Sequence, residues 1–197
     1  MLKGGIQMKK LVCLAGIPGS GKSTYAKKFG FRIISSDDVR KDLYGDQECY
    51  YNEKIAQFLI IKNNISTASL SKDAVIHLKE KLCLDYVFDI ARKRVCELLQ
   101  KGESVVYDST NLMIQFRRDL LIATQNLYDL CELYYLNPPL EIALNRNQNR
   151  KYIIDSQIIR DMYYKQQLPT YEEGFDRIYI IKSISDVLLP ETMKKSL

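Results

Sequence analysis

The sequence predicts an α/β fold, a mainly parallel sheet with helices on both faces, and three observations carry that expectation. Short apolar or β-branched runs of strand length alternate with segments of helical periodicity. Three of those runs end in polar clusters, at 16–24, 35–40 and 108–111, and ligands of open parallel sheets sit beyond the carboxyl ends of strands. The chain has 197 residues, 46% hydrophobic and 27% charged, with no low-complexity tract and no fixed-period repeat. A single domain over 1–197 of this size buries ~70% of its unfolded-chain surface without a metal or disulfide staple.

The elements follow in order. The run KLVCLAG (10–16) has buried-strand character, and KSTYAKKF (22–29) has helical spacing. FRIISSD (31–37) reads as a second strand and DVRKDLYG (38–45) as a short helix closed by Gly45. From 48 to 100 the chain reads as helical throughout. Leu84, Val87, Phe88, Ala91, Val95, Leu98 and Leu99 recur at steps of three and four, with Arg92, Lys93 and Arg94 mostly on the opposite face. ESVVYDSTN (103–111) is a strand ending in polar residues, 113–126 a helix, and CELYYLN (131–137) a strand stopped by Pro138 and Pro139. Helices over 140–150 and 155–167, a strand at 177–181 and a C-terminal helix complete the prediction.

Composition excludes several classes. Cys13, Cys49, Cys83, Cys96 and Cys131 are odd in number and contain no C-x-x-C pair, which argues for reduced core thiols over a disulfide framework or a zinc site. No apolar run approaches the ~20 residues of a membrane span. The segment MKKLVCLAG resembles a signal peptide in outline, but its apolar run is short and opens into a glycine loop, so a buried strand explains it better. Met8 is then an alternative start, residues 1–7 a loose tail, and the cytoplasm the expected compartment. A formal net charge of +5 favours a polyanionic partner only weakly.

The segment Gly16-x-x-x-x-Gly21-Lys22-Ser23 matches the phosphate-loop pattern, with a strand before it and a helix after it. Gly16, Gly19 and Gly21 allow backbone N–H groups, with those of Ser20 and Thr24, to turn toward phosphate oxygens, while Lys22 reaches the β and γ phosphates and Ser23 holds Mg²⁺. The nucleotide is ATP or GTP, and the loop does not separate a kinase from an ATPase or a GTPase. In SSDDVR (35–40), Asp37 or Asp38 suits the carboxylate that orients an attacking hydroxyl, or else serves as a helix N-cap. In YDSTN (107–111), Asp108 is a Mg²⁺ ligand acting through water, a contact to the acceptor, or part of a plain turn. Arg146 and Arg150, four apart on one predicted helix face, either stabilise charge on a transferred phosphoryl group or lie on a solvated face; Arg117 and Arg118 are of the same kind. His77, the only histidine, reads as structural, and the tyrosines read mainly as packing residues, with Tyr163, Tyr164 and Tyr171 near the expected nucleotide site.

GIPGSGKST, SSDDVR, YDSTNL, LNPPLEIALNRNQNR and QIIRDMYYKQQLPTYEEGFDRIYII, in that order, resemble the phage-type polynucleotide 5'-kinase domain and its bacterial relatives among small P-loop kinases, AAA-type ATP-binding proteins. The resemblance covers about 11–47 and 95–182. It implies a P-loop NTPase fold with a kinase-like lid over 141–167, and ATP- and Mg²⁺-dependent transfer of the γ-phosphate to the 5'-hydroxyl end of DNA or RNA. It implies that Asp37 is the general base, that Arg40 contacts the acceptor strand, and that Asp108, Thr110 and Asn111, joined by Arg117, build the acceptor site. It further implies that Arg146 and Arg150 close over the nucleotide, with Arg150 facing the transferred phosphate. The helical stretch 48–81 is longer than the family leads one to expect and reads as an insertion. Two rival readings remain at this level: a small-molecule kinase, and a nucleotide-switched ATPase or binding module.

Overall fold

The computed structural model describes residues 8–45, 51–182 and 191–192. Its contacts divide into two compact units, Met1–Ile34 with Val95–Leu197, and Ser35–Arg94.

The first unit is built on a sheet. Its strands are β1 (Lys10–Ala15), β2 (Arg32–Ser35, the end of which enters the second unit), β3 (Val105–Asp108), β4 (Leu130–Leu136), β5 (Arg177–Ile181) and β6 (Glu191–Thr192), in the order β2-β3-β1-β4-β5-β6. β1 pairs in parallel with both β3 and β4, and β4 in parallel with β5. A central parallel strand is covered on both faces, which explains why 11–15 is a continuous apolar run and is 0% exposed. On one face Val12, Leu14, Val106, Leu136 and Ile181 pack with Tyr25 and Ala26, rimmed by Phe29, Phe31, Ile33, Tyr134 and Tyr179. Tyr25 and Ala26 come from α1 (Lys22–Ala26), which tightens into a 3₁₀ turn over Lys27–Phe29 and stops at Gly30, φ 67°.

The remaining helices of this unit are α5 (Ile114–Ala123), α6 (Leu140–Gln148) and α7 (Ser156–Lys165), and a 3₁₀ turn covers Tyr171–Glu173. The expected C-terminal helix is corrected at 191–192, where the chain is extended and pairs antiparallel with β5. The expected tail at 1–7 and Cys49 lie outside the described residues. Cys13, Cys83 and Cys131 are free thiols, and burial pushes those of Cys13 and Cys131 up, away from the reactive thiolate. Among the described residues no helix is long and apolar enough to cross a membrane.

The second unit is helical: α2 (Ser36–Tyr44), α3 (Glu53–Lys62) and most of α4 (Lys72–Gln100). The uninterrupted helix expected over 48–100 is broken. Asn63 caps α3, Asn64 takes the left-handed conformation at φ 52°, and helix resumes only at Lys72. Asparagine tolerates that conformation better than most residues, and this is one physical reason for the break. The buried stripe of α4 runs through Cys83, Val87, Ala91, Val95 and Leu99, whereas Leu84 is 39% exposed, so the true face starts one residue earlier than the apolar pattern indicated. Polar ties cross the unit: Tyr44 Oη donates to Cys83 O at 2.7 Å, Lys79 pairs with Glu53 at 2.6 Å and Arg94 with Asp42 at 2.6 Å. His77 is exposed, with Nδ1 3.4 Å from Glu80 Oε2.

The start of α2 bears on function. Ser35 is its N-cap, and the Ser35 side chain accepts from the N–H groups of Asp37 (3.2 Å) and Asp38 (3.4 Å). Gly45, φ 80°, closes the helix as expected. The two aspartates therefore lie in the first helical turn, where their charge complements the macrodipole, and neither is the cap. Ser35→Ala should cost about 1 kcal/mol, and Asp38→Ala no more than about 0.5 kcal/mol. Urea unfolding followed by circular dichroism measures both; the reverse order would return the cap to the aspartates.

Candidate phosphate-binding site

β1 ends at Ala15, and the chain turns at once through residues in conformations that only glycine adopts easily: Gly16 (φ 145°), Gly19 (φ 80°) and Gly21 (φ 99°). Space reinforces the dihedral constraint. A Cβ on Gly16 would collide with the carbonyl of Leu136 and with Ser20 Oγ, and one on Gly19 with the carbonyl of Ala143. The loop is thus wedged between the end of β4 and α6. Ile17 is buried with Leu112, Ala143, Leu144 and Ile159, which fastens the loop to α6 and α7. Gly21 is the N-cap of α1 and offers no side-chain acceptor, so the first N–H groups of the helix, which have no intrahelical partner, are left for a ligand.

The Lys22 ammonium folds over this loop, donating to Gly16 O (2.7 Å), Ile17 O (3.0 Å) and Ser20 Oγ (3.5 Å). Carbonyls hold the cation at the rim of the loop, from which an anion can draw it by offering full charge. Ser23 and Thr24 are exposed on the first turn of α1, and Ser20 is buried.

The segment after β3 runs alongside. Asp108 ends β3 level with Leu14 of β1 and is 5% exposed. Gly16 N donates to Thr110 O at 2.9 Å, which fixes the two loops to each other. Ser109 Oγ and Tyr135 Oη on β4 are buried without a hydrogen bond among the described residues, and burial pushes the Tyr135 phenol up to about 12.

Two residues expected to build the acceptor site lie inside the fold. Asn111, φ 44° and 2% exposed, donates through Nδ2 to Leu14 O at 2.7 Å and so pins the segment to β1. Arg117 on α5 is 0% exposed. Its guanidinium grips the Glu173 carboxylate through Nε (2.6 Å) and Nη2 (2.7 Å), and donates from Nη1 to Asn111 O (2.9 Å) and Gln167 O (3.1 Å). Four of its five N–H donors are engaged inside the fold, so Arg117 is held there as part of the frame and not at the surface. Glu173 itself escaped the sequence reading, although Thr170-x-x-Glu173 is a capping box that could have located it.

The arginine pair is also rearranged. α6 ends at Gln148, so Arg150 is not on the same helix face as Arg146 but in the connection to α7. Asn147, 2% exposed, ties the connection that follows by bonding both ways with Ile154: Nδ2 to Ile154 O at 2.7 Å, and Ile154 N to Oδ1 at 3.2 Å. Arg146 Nη1 lies 3.5 Å from Ser20 O, at the phosphate loop, and Arg150 is exposed. Tyr163 is half-buried against the α6–α7 cluster, Tyr164 is 76% exposed and Tyr171 is half-buried. In the second unit, Asp37 and Arg40 lie together, Nη1 to Oδ1 at 3.0 Å, with side chains 67% and 34% exposed. The structure therefore brings Gly16–Thr24, Asp108, Thr110 and Arg146 into one region of the first unit, while Asp37 and Arg40 belong to the second.

A family model described as AAA domain matches residues 11–169. The chain belongs to the AAA domain family. It is a P-loop kinase-type domain within that family, and its parallel sheet and helices form the α/β P-loop NTPase fold. The chain is 32% identical over 162 residues, 80% of its length, to a protein of Autographa californica nuclear polyhedrosis virus described as a bifunctional polynucleotide kinase/RNA ligase. It is 26% identical over 166 residues, 84% of its length, to the L-seryl-tRNA(Sec) kinase of Methanococcus maripaludis. It spans only 21% of the first relative and 56% of the second. Among solved structures, Chaetomium thermophilum Kti12 in complex with ADP-AlF3 superposes with a TM-score of 0.55 at 16% identity, over 89% of this chain and 90% of that one, a likeness of fold.

The donor set of this AAA domain fits a nucleotide with Mg²⁺. The glycine cradle admits phosphate where a Cβ would fill it, and the Ser23 hydroxyl and Asp108 carboxylate are hard oxygen donors. Among the described residues no group of three or more His, Cys, Asp or Glu could hold a metal, whereas Mg²⁺ is commonly held by one or two protein groups plus substrate phosphates. Gly19→Ala should lose ~1–2 kcal/mol to the left-handed backbone alone, and more to the collision with Ala143, so ATP binding weakens by about tenfold or more. Isothermal titration measures this; wild-type affinity would show that the loop opens away from α6 on binding.

Proposed function

We propose that this P-loop kinase-type domain is an ATP- and Mg²⁺-dependent polynucleotide kinase, transferring the γ-phosphate to the 5'-hydroxyl end of a DNA or RNA strand. The observation that carries the reading is Asp37. It is an exposed carboxylate in the first turn of α2, with Ser35 performing the capping that would otherwise explain it, and with Arg40 beside it. The name of the viral relative gives a polynucleotide as acceptor, which supports this reading, while that of the archaeal relative gives the seryl group carried by a tRNA, which supports only an acceptor attached to nucleic acid.

In this reading Asp37 takes the proton of the attacking hydroxyl while its oxygen bonds to the γ-phosphorus and the bond from phosphorus to the β–γ bridging oxygen breaks, releasing ADP. Arg40 holds the acceptor strand, aided by Asp108 and Thr110. The backbone of the loop and Lys22 bind the β and γ phosphates, and Arg146 and Arg150 stabilise charge on the phosphoryl group in flight. Ser23 directly, and Asp108 through water, would hold a Mg²⁺ that when bound would neutralise charge on the phosphate oxygens.

Incubation with γ-labelled ATP, Mg²⁺, 5'-hydroxyl DNA and RNA oligonucleotides and a pool of small hydroxyl metabolites tests the proposal. Label is expected on the oligonucleotides, with affinity for a single strand falling as salt rises by a log–log slope of roughly −0.7 per phosphate contact. Label confined to a metabolite, with no salt dependence, would replace the polynucleotide with a small-molecule acceptor.

A further inference from the structure

The Arg117–Glu173 pair joins more of the molecule than an ion pair need join. Nη1 of Arg117 spans two separate chain segments, bonding the carbonyl of Asn111 after β3 and the carbonyl of Gln167 after α7. The same two segments exchange further bonds: Gln167 N donates to Leu112 O at 2.9 Å, and Ile114 N to Gln167 Oε1 at 2.8 Å. Glu173 in turn holds the second segment, with Oε1 accepting from Thr170 N at 2.9 Å.

On its other side the 108–111 segment is tied to the phosphate loop and its strand, through Gly16 N to Thr110 O and Asn111 Nδ2 to Leu14 O. Asn111 sits in the left-handed region at φ 44°, a conformation maintained here by bonds to both its carbonyl and its side chain. Asp108 is held in the sheet opposite Leu14, so a change at Asn111 would act first on the backbone of Ser109 and Thr110, which joins it to β3. Lysine could keep the charge opposite Glu173, but a single ammonium cannot reproduce the planar fork that reaches a carboxylate and two carbonyls together.

From this we infer that Arg117 is a positioning residue for phosphoryl transfer: through Glu173, Asn111 and Gln167 it sets the Ser109–Thr110 backbone that faces the acceptor and couples it to the end of α7. The inference rests on reading 108–110 as acceptor-binding. It explains why a fully buried arginine takes a place that an apolar pair could fill at similar volume.

Arg117→Lys and Gln167→Ala are the test, the latter removing only the exposed side chain that accepts from Ile114 N and leaving the carbonyl that Arg117 bonds. Each is checked for folding by circular dichroism at the assay temperature. Steady-state kinetics follow, on whichever hydroxyl the wild type phosphorylates from a short 5'-hydroxyl RNA, a 5'-hydroxyl DNA and a metabolite pool. Arg117→Lys should lower kcat/KM for the acceptor by about 10- to 100-fold, with ATP affinity unchanged, and Gln167→Ala should do the same more weakly. A purely structural pair would instead lower the melting temperature and leave acceptor kcat and KM at wild-type values, and that result overturns the inference. If Arg117→Lys does not fold, unchanged acceptor kinetics in the isosteric Glu173→Gln, which weakens the grip on the guanidinium at its other end, overturn it. A wild type that labels only the metabolite refutes the polynucleotide reading while the comparison among variants still stands.

Discussion

The phosphate site depends on two positions where a Cβ cannot stand. Gly16 presses against the carbonyl ending β4 and Gly19 against the backbone of α6, so the loop between them is shaped by contact as well as by dihedral preference. β1, β3 and β4 must pair in parallel for those contacts to exist, because only then do the three strand ends emerge side by side. The buried apolar character of β1 is therefore part of the site: it places the loop between neighbours that leave it one conformation.

Around that loop the polar residues divide by what they bond. Asn111, Arg117, Asn147 and Glu173 are buried and bond to backbone or to each other, and they hold loops in place. Asp37, Arg40 and Arg150 remain substantially exposed, and it is to these that the transfer chemistry is assigned. Lys22 is intermediate, resting on loop carbonyls that a triphosphate would displace. The first group makes a rigid frame, which is what a reaction depending on alignment more than on covalent chemistry requires.

The parallel sheet and the glycine loop were legible in the sequence because their signals are local: a buried strand is a short apolar run, and a phosphate loop is a contiguous pattern. What escaped were interactions between distant residues. Arg117 looks like any basic residue on an amphipathic helix until Glu173, 56 positions away, is seen to hold it. Arg150 looked helical by its spacing from Arg146, but α6 is capped at Asn149, and Asn147 ties the connection that follows through its bonds with Ile154. The break after Asn63 combines one left-handed asparagine with a following run of Ser and Thr that favours caps and turns, and Cys83 displaced Leu84 from the buried face of α4 because a long helical stripe can be drawn from either of two neighbouring residues. The chemistry assigned to Asp37 entered through family resemblance, and the structure adds to it that Ser35 performs the capping.

The central claim is that this AAA domain transfers a phosphoryl group to a hydroxyl that Asp37 deprotonates. Asp37→Asn tests it most directly, with ATP affinity by titration and single-turnover transfer measured on the same preparation. The account predicts wild-type ATP affinity and transfer slowed by about 10²- to 10⁴-fold, the usual contribution of a positioned general base. Transfer at the wild-type rate in a folded, ATP-binding Asp37→Asn protein would contradict it.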